Sequence, residues 1–371
     1  MKKIGIVTLY GEYNIGNKLQ NYAVCQIYRK FGYSASTIYY DIDELEATGS
    51  VQRKYKVLIK EIFLHLGFIK GSIYKYSLEK ERKKNFKEFS EKYLFLAEKI
   101  IFEKVPKNLK EKYDFFSVGS DQVWRNWGET RAEIEYFLLR FADNSQKICI
   151  SPSIGRDSIP NEYLEEFRRG LADFTYLSCR EELGAQLIKD ITGRSVEVLI
   201  DPTMALDRDE WKVLMKKPTY SLPDKYILVY MLGDKSELVD EKIRRYSNQL
   251  ALPVVNIYNR DNAPEYYKTG PSEFLYLVSN ATLISTNSYH GCAFSVLFNN
   301  AFVCFEREDL RANMKDRLFT LLSKFSLTNR YSNAIDDQNI LKMDFEYANK
   351  VLEVEKKKLY RYITMNLTGE A

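Results

Sequence analysis

Residues 2–23, KKIGIVTLYGEYNIGNKLQNYA, decide the fold. The stretch KKIGIVTLY is a short apolar run rich in strand-forming residues, and Leu19, Ala23, Ile27 and Phe31 then recur every four residues until Gly32 offers a stop. That order is strand, loop, helix. The loop gathers Gly11, Asn14, Gly16 and Asn17, and the first strand-to-helix loop of an α/β protein is a ligand-facing position. It contains neither the G-x-G-x-x-G nor the G-x-x-x-x-G-K-[ST] pattern of nucleotide loops.

Working outward, YSASTIYYD (33–41), YDFFSVGSD (113–121), KICISPSIG (147–155) and VEVLIDPT (196–203) read as further strands, with helical patterns between most of them. Such alternation predicts parallel α/β layering. Pro202, Pro218 and Pro223 then break the pattern, and a second series begins with YILVYML (226–232) and continues through PVVNIYN, TLISTNS and AFVCFER. With 371 residues and roughly 150 per domain, two α/β halves are expected: 1–205, a linker at 206–223, and 224–371. The last segment, about 339–367, reads as a long charged helix able to pack back across the first half.

Composition excludes several classes. The chain is 45% hydrophobic and 29% charged, as a folded globular protein is. A formal net charge of +4 creates no global field that calls for nucleic acid. The five cysteines are scattered with no C-x-x-C pair, against a disulfide framework or a zinc knuckle. No apolar stretch approaches the length of a membrane span, and a cytoplasmic location is the expectation. An insertion at about 53–92 mixes Arg53, Lys54, Lys56, Lys60, Lys80, Arg82, Lys83, Lys84 and Lys87 with apolar residues. It reads as a solvated helical pair, or as a basic amphipathic surface for anionic headgroups.

The chemistry-bearing residues cluster at predicted strand ends. His290, one of only two histidines, lies in STNSYHGCAF (285–294), where a strand passes into a helix. Imidazole exchanges protons near neutral pH, and helix-start N–H groups suit an anion. His65 sits in an apolar helical stretch and reads as structural. SVGSDQVW (117–124) repeats the geometry with Gly119, Ser120 and Asp121, and LSCREELG (177–184) places Arg180 and Glu181 after another apolar run. Asp201, before Pro202, fits either a turn or a polar contact in the cleft, and the turn is favoured. Asp41 and Asp43 form an Asp-x-Asp, but their acidic continuation makes them a poor metal pair, and no metal site is expected.

Taken together, residues 14–23 (NIGNKLQNYA), 118–124 (VGSDQVW), 177–181 (LSCRE), 201–203 (DPT), 270–274 (GPSEF) and 285–294 follow the order seen in the polysaccharide pyruvyl transferase family. The resemblance implies two Rossmann-like domains facing a cleft, similar to the GT-B fold of glycosyltransferases. It implies transfer of pyruvate from phosphoenolpyruvate to a sugar as a cyclic ketal with release of phosphate, with no cofactor beyond that donor. The acceptor is then a lipid-linked or nucleotide-linked sugar in capsular or exopolysaccharide assembly, and an enzyme using the former meets the inner membrane face peripherally.

His290 and Arg180 become the implied catalytic pair. Asn14, Gly16, Asn17, Gly119, Ser120, Asp121, Ser288, Tyr289 and Gly291 become the implied substrate-binding set. One departure stands out: a branch of the family has a donor-binding arginine two residues before the histidine, where this chain has Ser288. Arg307, Arg311 or Arg317 downstream is the candidate replacement. Two other readings compete: a GT-B glycosyltransferase using a nucleotide-sugar, and a non-catalytic sugar- or phosphate-binding subunit of a polysaccharide assembly complex.

Overall fold

The computed structural model describes residues 1–11, 13–40, 70–126, 128, 130–233, 236–259, 263–307 and 315–369. Asp41, Asp43, His65 and Arg311 fall outside them, as does the first part of the basic insertion.

The opening segment forms β1 (Lys3–Val7) and α1 (Ile15–Lys30), followed by β2 (Ser34–Tyr40), α2 (Lys70–Tyr93), β3 (Leu96–Ile100), β4 (Phe115–Val118), α3 (Arg131–Phe137) and β5 (Lys147–Cys149). The five strands form one parallel sheet in the order β3-β2-β1-β4-β5. Chain order reverses between β1 and β4, so the loops after these strands splay apart and leave a crevice there. Four apolar β1 side chains are buried, and α1 covers the sheet with Ile15, Leu19, Ala23 and Ile27. The half continues through α4 (Leu164–Ala172), β6 (Ser178–Cys179), α5 (Glu182–Thr192) and β7 (Glu197–Val198), where β6 and β7 form a short parallel ladder.

After α6 (Arg208–Lys212), the second half runs β8 (Ile227–Tyr230), α7 (Glu237–Leu250), β9 (Val254–Asn256), α8 (Pro264–Tyr267), α9 (Pro271–Asn280), β10 (Leu283–Thr286), α10 (Tyr289–Phe298), β11 (Phe302–Cys304), α11 (Lys315–Lys324) and α12 (Glu346–Thr368). Its four strands are all parallel, in the order β11-β10-β8-β9, and reverse direction of progression between β8 and β10. Each half is Rossmann-like, and His290 follows the strand at the second crevice.

Several expectations change in detail. Strand β3, LAEKI, alternates charged and apolar residues at the sheet edge and carries too weak an apolar signal to be read beforehand. Segment 206–223, expected as a linker, is packed: Trp211 is fully buried, edge-on to Phe294 of α10 at 5.0 Å and tilted against Tyr22 of α1 at 5.5 Å. The halves thus share one apolar core. The final helix begins at Glu346, later than the charge pattern suggests, and touches the first half through Tyr362 Oη at 3.3 Å from Cys149 Sγ and Lys358 Nζ donating to Val198 O at 2.9 Å.

Arg82 does not belong to a basic surface. It is 1% exposed, donates to Tyr267 O at 2.5 Å and packs over the rings of Tyr258 and Tyr267 at 4.7 and 4.8 Å, tying α2 to the second half. Lys84 and Lys87 stay exposed but pair with Glu88 and Glu91 one turn on, which reduces the net positive field of that face. No helix among the described residues is long and apolar enough to cross a membrane.

Candidate active site

The site is built on strand ends. Helix α1 starts at Asn14, whose Oδ1 accepts from Asn17 N at 3.1 Å, so Asn14 acts as the N-cap. Asn17 in turn donates through Nδ2 to Asp121 Oδ2 in the loop after β4. That loop needs its glycine. Gly119 has φ +111°, and a Cβ there would stand 2.4 Å from Ile150 O. Asp121, at φ 55°, takes a conformation rarely adopted by side-chain-bearing residues, and its Oδ1 accepts from Gln122 N at 2.9 Å and lies 3.4 Å from Arg180 Nη2.

Parallel pairing of β6 with β7 sets Cys179 opposite Val198, so Arg180 and Asp201 leave the same edge of that ladder. Arg180 Nη1 donates to Asp201 Oδ2 at 2.6 Å. The same oxygen accepts from Ser120 Oγ at 2.8 Å, while Oδ1 accepts from Thr203 N at 2.9 Å and Thr203 Oγ1 at 2.8 Å. Ser120 is itself held by its N–H donating to Gln20 Oε1 at 3.0 Å. Asp201 therefore closes the turn and also faces the cleft: both uses weighed from the sequence are real, and the favoured one is only half of its role.

From the second half comes His290, on the first turn of α10. Ser288 caps that helix, its Oγ accepting from Gly291 N at 3.4 Å, so the serine in the arginine position has a structural occupation. Gly291 lets the helix start lie against β10, since a Cβ would meet Thr286 Oγ1 at 2.3 Å. Tyr289 lies over the Arg180 guanidinium at 4.3 Å. His290 Nε2 stands 3.7 Å from Asp201 Oδ2, within ion-pair reach and beyond a hydrogen bond, and has no hydrogen-bond partner. Its ring packs on the start of α1, where a Cβ on Gly16 would come 2.2 Å from Nδ1. One imidazole from the second half thus meets a carboxylate and a helix N-terminus of the first.

Charge states follow from these contacts. Burial alone would raise the Asp201 carboxyl, but His290, Arg180 and the Thr203 N–H hold it well below the usual carboxylate range, so it stays ionised. Burial would lower the Arg180 guanidinium, and Asp201 and Asp121 more than offset it. Arg180 is thereby largely committed to its own carboxylates, which makes it the clamp on Asp201 more than a freely offered anion anchor. Burial raises the Glu181 carboxyl despite Arg180, Arg317 and the Gly155 N–H. Arg317, at the start of α11, is brought beside Arg180, Asp121 and Glu181, and burial followed by the Arg180 charge lowers it to about 10. Arg307 stands half-buried past β11, one strand over from the His290 loop.

Of the sequence-predicted residues, Asn17, Ser120, Asp121, Arg180, Tyr289, His290, Gly16 and Arg317 meet in this cluster, while Asn14, Ser288, Gly119 and Gly291 shape its backbone. Asp201, Gln20 and Glu181 are the additions. The signal for Asp201 and Glu181 was their place directly after apolar runs; nothing local marks Gln20.

The Gly16 contact gives a direct test. Alanine would otherwise suit a helix by up to about 1 kcal/mol, so Gly16→Ala is expected to leave the melting temperature near that of the native chain while displacing the imidazole. With only two histidines in the chain, one of the two imidazole signal sets in a ¹⁵N-histidine spectrum moves, the set that His290→Gln removes.

Two Rossmann-like domains with their loops converging on a cleft define a transferase architecture of the GT-B type. A Listeria monocytogenes protein assigned as a UDP-N-acetylglucosamine 2-epimerase shares the fold, with TM-score 0.50 at 9% identity over 100% of this chain and 97% of its own. Methanocaldococcus jannaschii UDP-GlcNAc 2-epimerase (TM-score 0.45, 12% identity, 99% of this chain and 100% of its own) and the wall teichoic acid polymerase TagF (0.42, 12%, 99% and 90%) are more distant. No curated protein matches the sequence. The polysaccharide pyruvyl transferase family matches residues 14–309, and the chain belongs to that family of transferases.

Proposed function

We propose that the protein transfers the enolpyruvyl carbons of phosphoenolpyruvate onto two hydroxyls of one sugar, making a cyclic pyruvate ketal in the assembly of a capsular or exopolysaccharide. The observation that carries this reading is His290 of one half facing the ionised Asp201 of the other at 3.7 Å, beside the start of α1. The reaction asks for such a group. A proton added to the methylene carbon builds positive charge at the carbon bearing the phosphate. One sugar hydroxyl then bonds to that carbon and gives up its proton, the carbon–oxygen bond to phosphate breaks, and the second hydroxyl closes the ring. Two hydroxyl protons are released; one restores the acid and one leaves with phosphate.

His290 supplies the first proton and recovers one, with Asp201 as the fixed counter-ion for the charged imidazole. Arg180, Ser120 and Thr203 hold that carboxylate in place. The amides of Ile15 and Gly16 have no partner within α1, and their positive end of the helix favours the anionic donor. The acceptor is a lipid-linked or nucleotide-linked sugar met in the cytoplasm, and the exposed lysines of α2 are the region available for anionic headgroups. Charge reversal at Lys83, Lys84 and Lys87 with no change in partition to anionic vesicles would remove that last element.

A nucleotide-sugar glycosyltransferase is the second reading, favoured by the GT-B fold and by Ser288 in place of an arginine. Incubation of the protein with ¹³C-phosphoenolpyruvate and a panel of UDP-hexoses, followed by mass spectrometry, tests the proposal. A hexose that gains the labelled ketal, together with one phosphate released, supports it. Glycosyl transfer from the UDP-hexose, with no label incorporated, replaces it with the second reading.

A further inference from the structure

Helix α11 belongs to the second half, yet its start is docked on α5 of the first. Leu183 N donates to Asp316 Oδ2 at 3.2 Å, and Glu182 N donates to Thr320 Oγ1 at 3.3 Å. These are first-turn amides of α5, which the helix itself leaves unsatisfied. Arg317 lies between the two docking residues and is carried by them to the seam beside Arg180, Glu181, Asp121 and Arg125.

Two guanidinium donors at this seam have no use. Arg317 Nε and Arg180 Nε are both buried without an acceptor. The local carboxylates are already engaged: Asp201 by Arg180, Ser120 and Thr203, Asp121 by Asn17 and the Gln122 amide. Glu181 Oε1 takes Ser153 Oγ and the N–H groups of Ile154 and Gly155, and burial disfavours its charge. Two like charges with idle buried donors are costly until an acceptor of opposite charge joins them. Guanidinium groups match tetrahedral oxyanions in shape and donor spacing.

We infer that Arg317 and Arg180 form a subsite for a phosphate-class oxyanion at the seam between the halves, assembled by the docking of α11 on α5. The subsite follows from the idle donors; only the identity of its anion, the donor's phosphoryl group or the phosphate released from it, rests on the proposed reaction. Arg317 then supplies the cation that Ser288 does not.

The test is a calorimetric titration of the full chain with inorganic phosphate and, separately, with phosphoenolpyruvate. The variants are Arg317→Gln, Arg317→Lys and the double substitution Asp316→Asn with Thr320→Val, each first checked for native circular dichroism. Arg317→Gln is expected to weaken phosphate at least tenfold and Arg317→Lys less, because the ammonium keeps the charge and loses the fork. The double variant, which leaves both arginines intact, weakens phosphate in the same direction. Phosphate bound equally by wild type and Arg317→Gln overturns the subsite, and an unaffected double variant overturns the docking device.

Failure of the reaction reads differently from failure of the subsite. Phosphate binding that depends on Arg317, with no binding or turnover of phosphoenolpyruvate, keeps the subsite and removes the donor. Pyruvyl transfer with an unchanged KM for phosphoenolpyruvate in Arg317→Gln keeps the donor and removes the subsite.

Discussion

His290→Ala lowers pyruvyl transfer by about 10³-fold, within the range for losing a positioned general acid, and leaves the fold intact. The imidazole is the one group of the second half that faces the Asp201 carboxylate in the described site, and its Nε2 has no hydrogen bond to lose on truncation. Because the loss falls on the chemical step, kcat drops while the KM for phosphoenolpyruvate stays within a few-fold of wild type. His290→Gln, which keeps the bulk against Gly16 without the proton exchange, is expected to be as inactive as the alanine variant. Transfer by His290→Gln at a tenth or more of the native rate would assign the proton to another group.

Asp201→Ala has the largest effect on stability. It leaves the fully buried Arg180 without its 2.6 Å partner and strips Ser120 and Thr203 of their acceptor. Removing one member of a buried pair costs about 3–5 kcal/mol, enough to threaten a protein of ordinary stability. Asp201→Asn keeps an oxygen acceptor for Ser120 or Thr203 and isolates the charge. The native carboxyl is held well below its ordinary value, so its stabilisation is fully present above the unfolded pKa of about 3.9 and is lost as pH falls further. The gap in unfolding free energy between wild type and Asp201→Asn is therefore constant from neutral pH down to about pH 5 and narrows below about pH 4. Urea titrations across that range measure it, and a gap that grows on acidification would contradict the ionised assignment.

Much of this architecture is legible in the sequence because it is written in local signals. The alternation of short apolar runs with four-residue helical spacing predicts parallel layers, and β1, β2, β4, β8 and β10 fall within the runs that predict them. Strand β3 escapes because an edge strand carries charge at alternate positions. The loops at strand ends are also visible as glycine and polar clusters. What sequence does not carry is which loops touch. The two-residue β6–β7 ladder that sets Arg180 against Asp201 has no periodicity to detect, so the carboxylate reads as a turn residue. Arg82 reads as one of a run of surface cations because the rings that bury it, Tyr258 and Tyr267, come from the other half of the chain. Ser288 reads as a missing cation; its capping bond explains why a serine suits the position, and the charge is sought instead on a helix almost thirty residues later.

The account stands on phosphoenolpyruvate as donor. A thermal-shift titration of the purified protein with phosphoenolpyruvate, set beside UDP-sugars, tests it most directly, because a ligand specific for the native state stabilises by RT ln(1 + [L]/Kd). The account predicts a rise in melting temperature with phosphoenolpyruvate that saturates and that Arg317→Gln diminishes. No rise with phosphoenolpyruvate at any concentration, alongside a saturable rise with a UDP-sugar, would contradict it and leave a nucleotide-sugar transferase in its place.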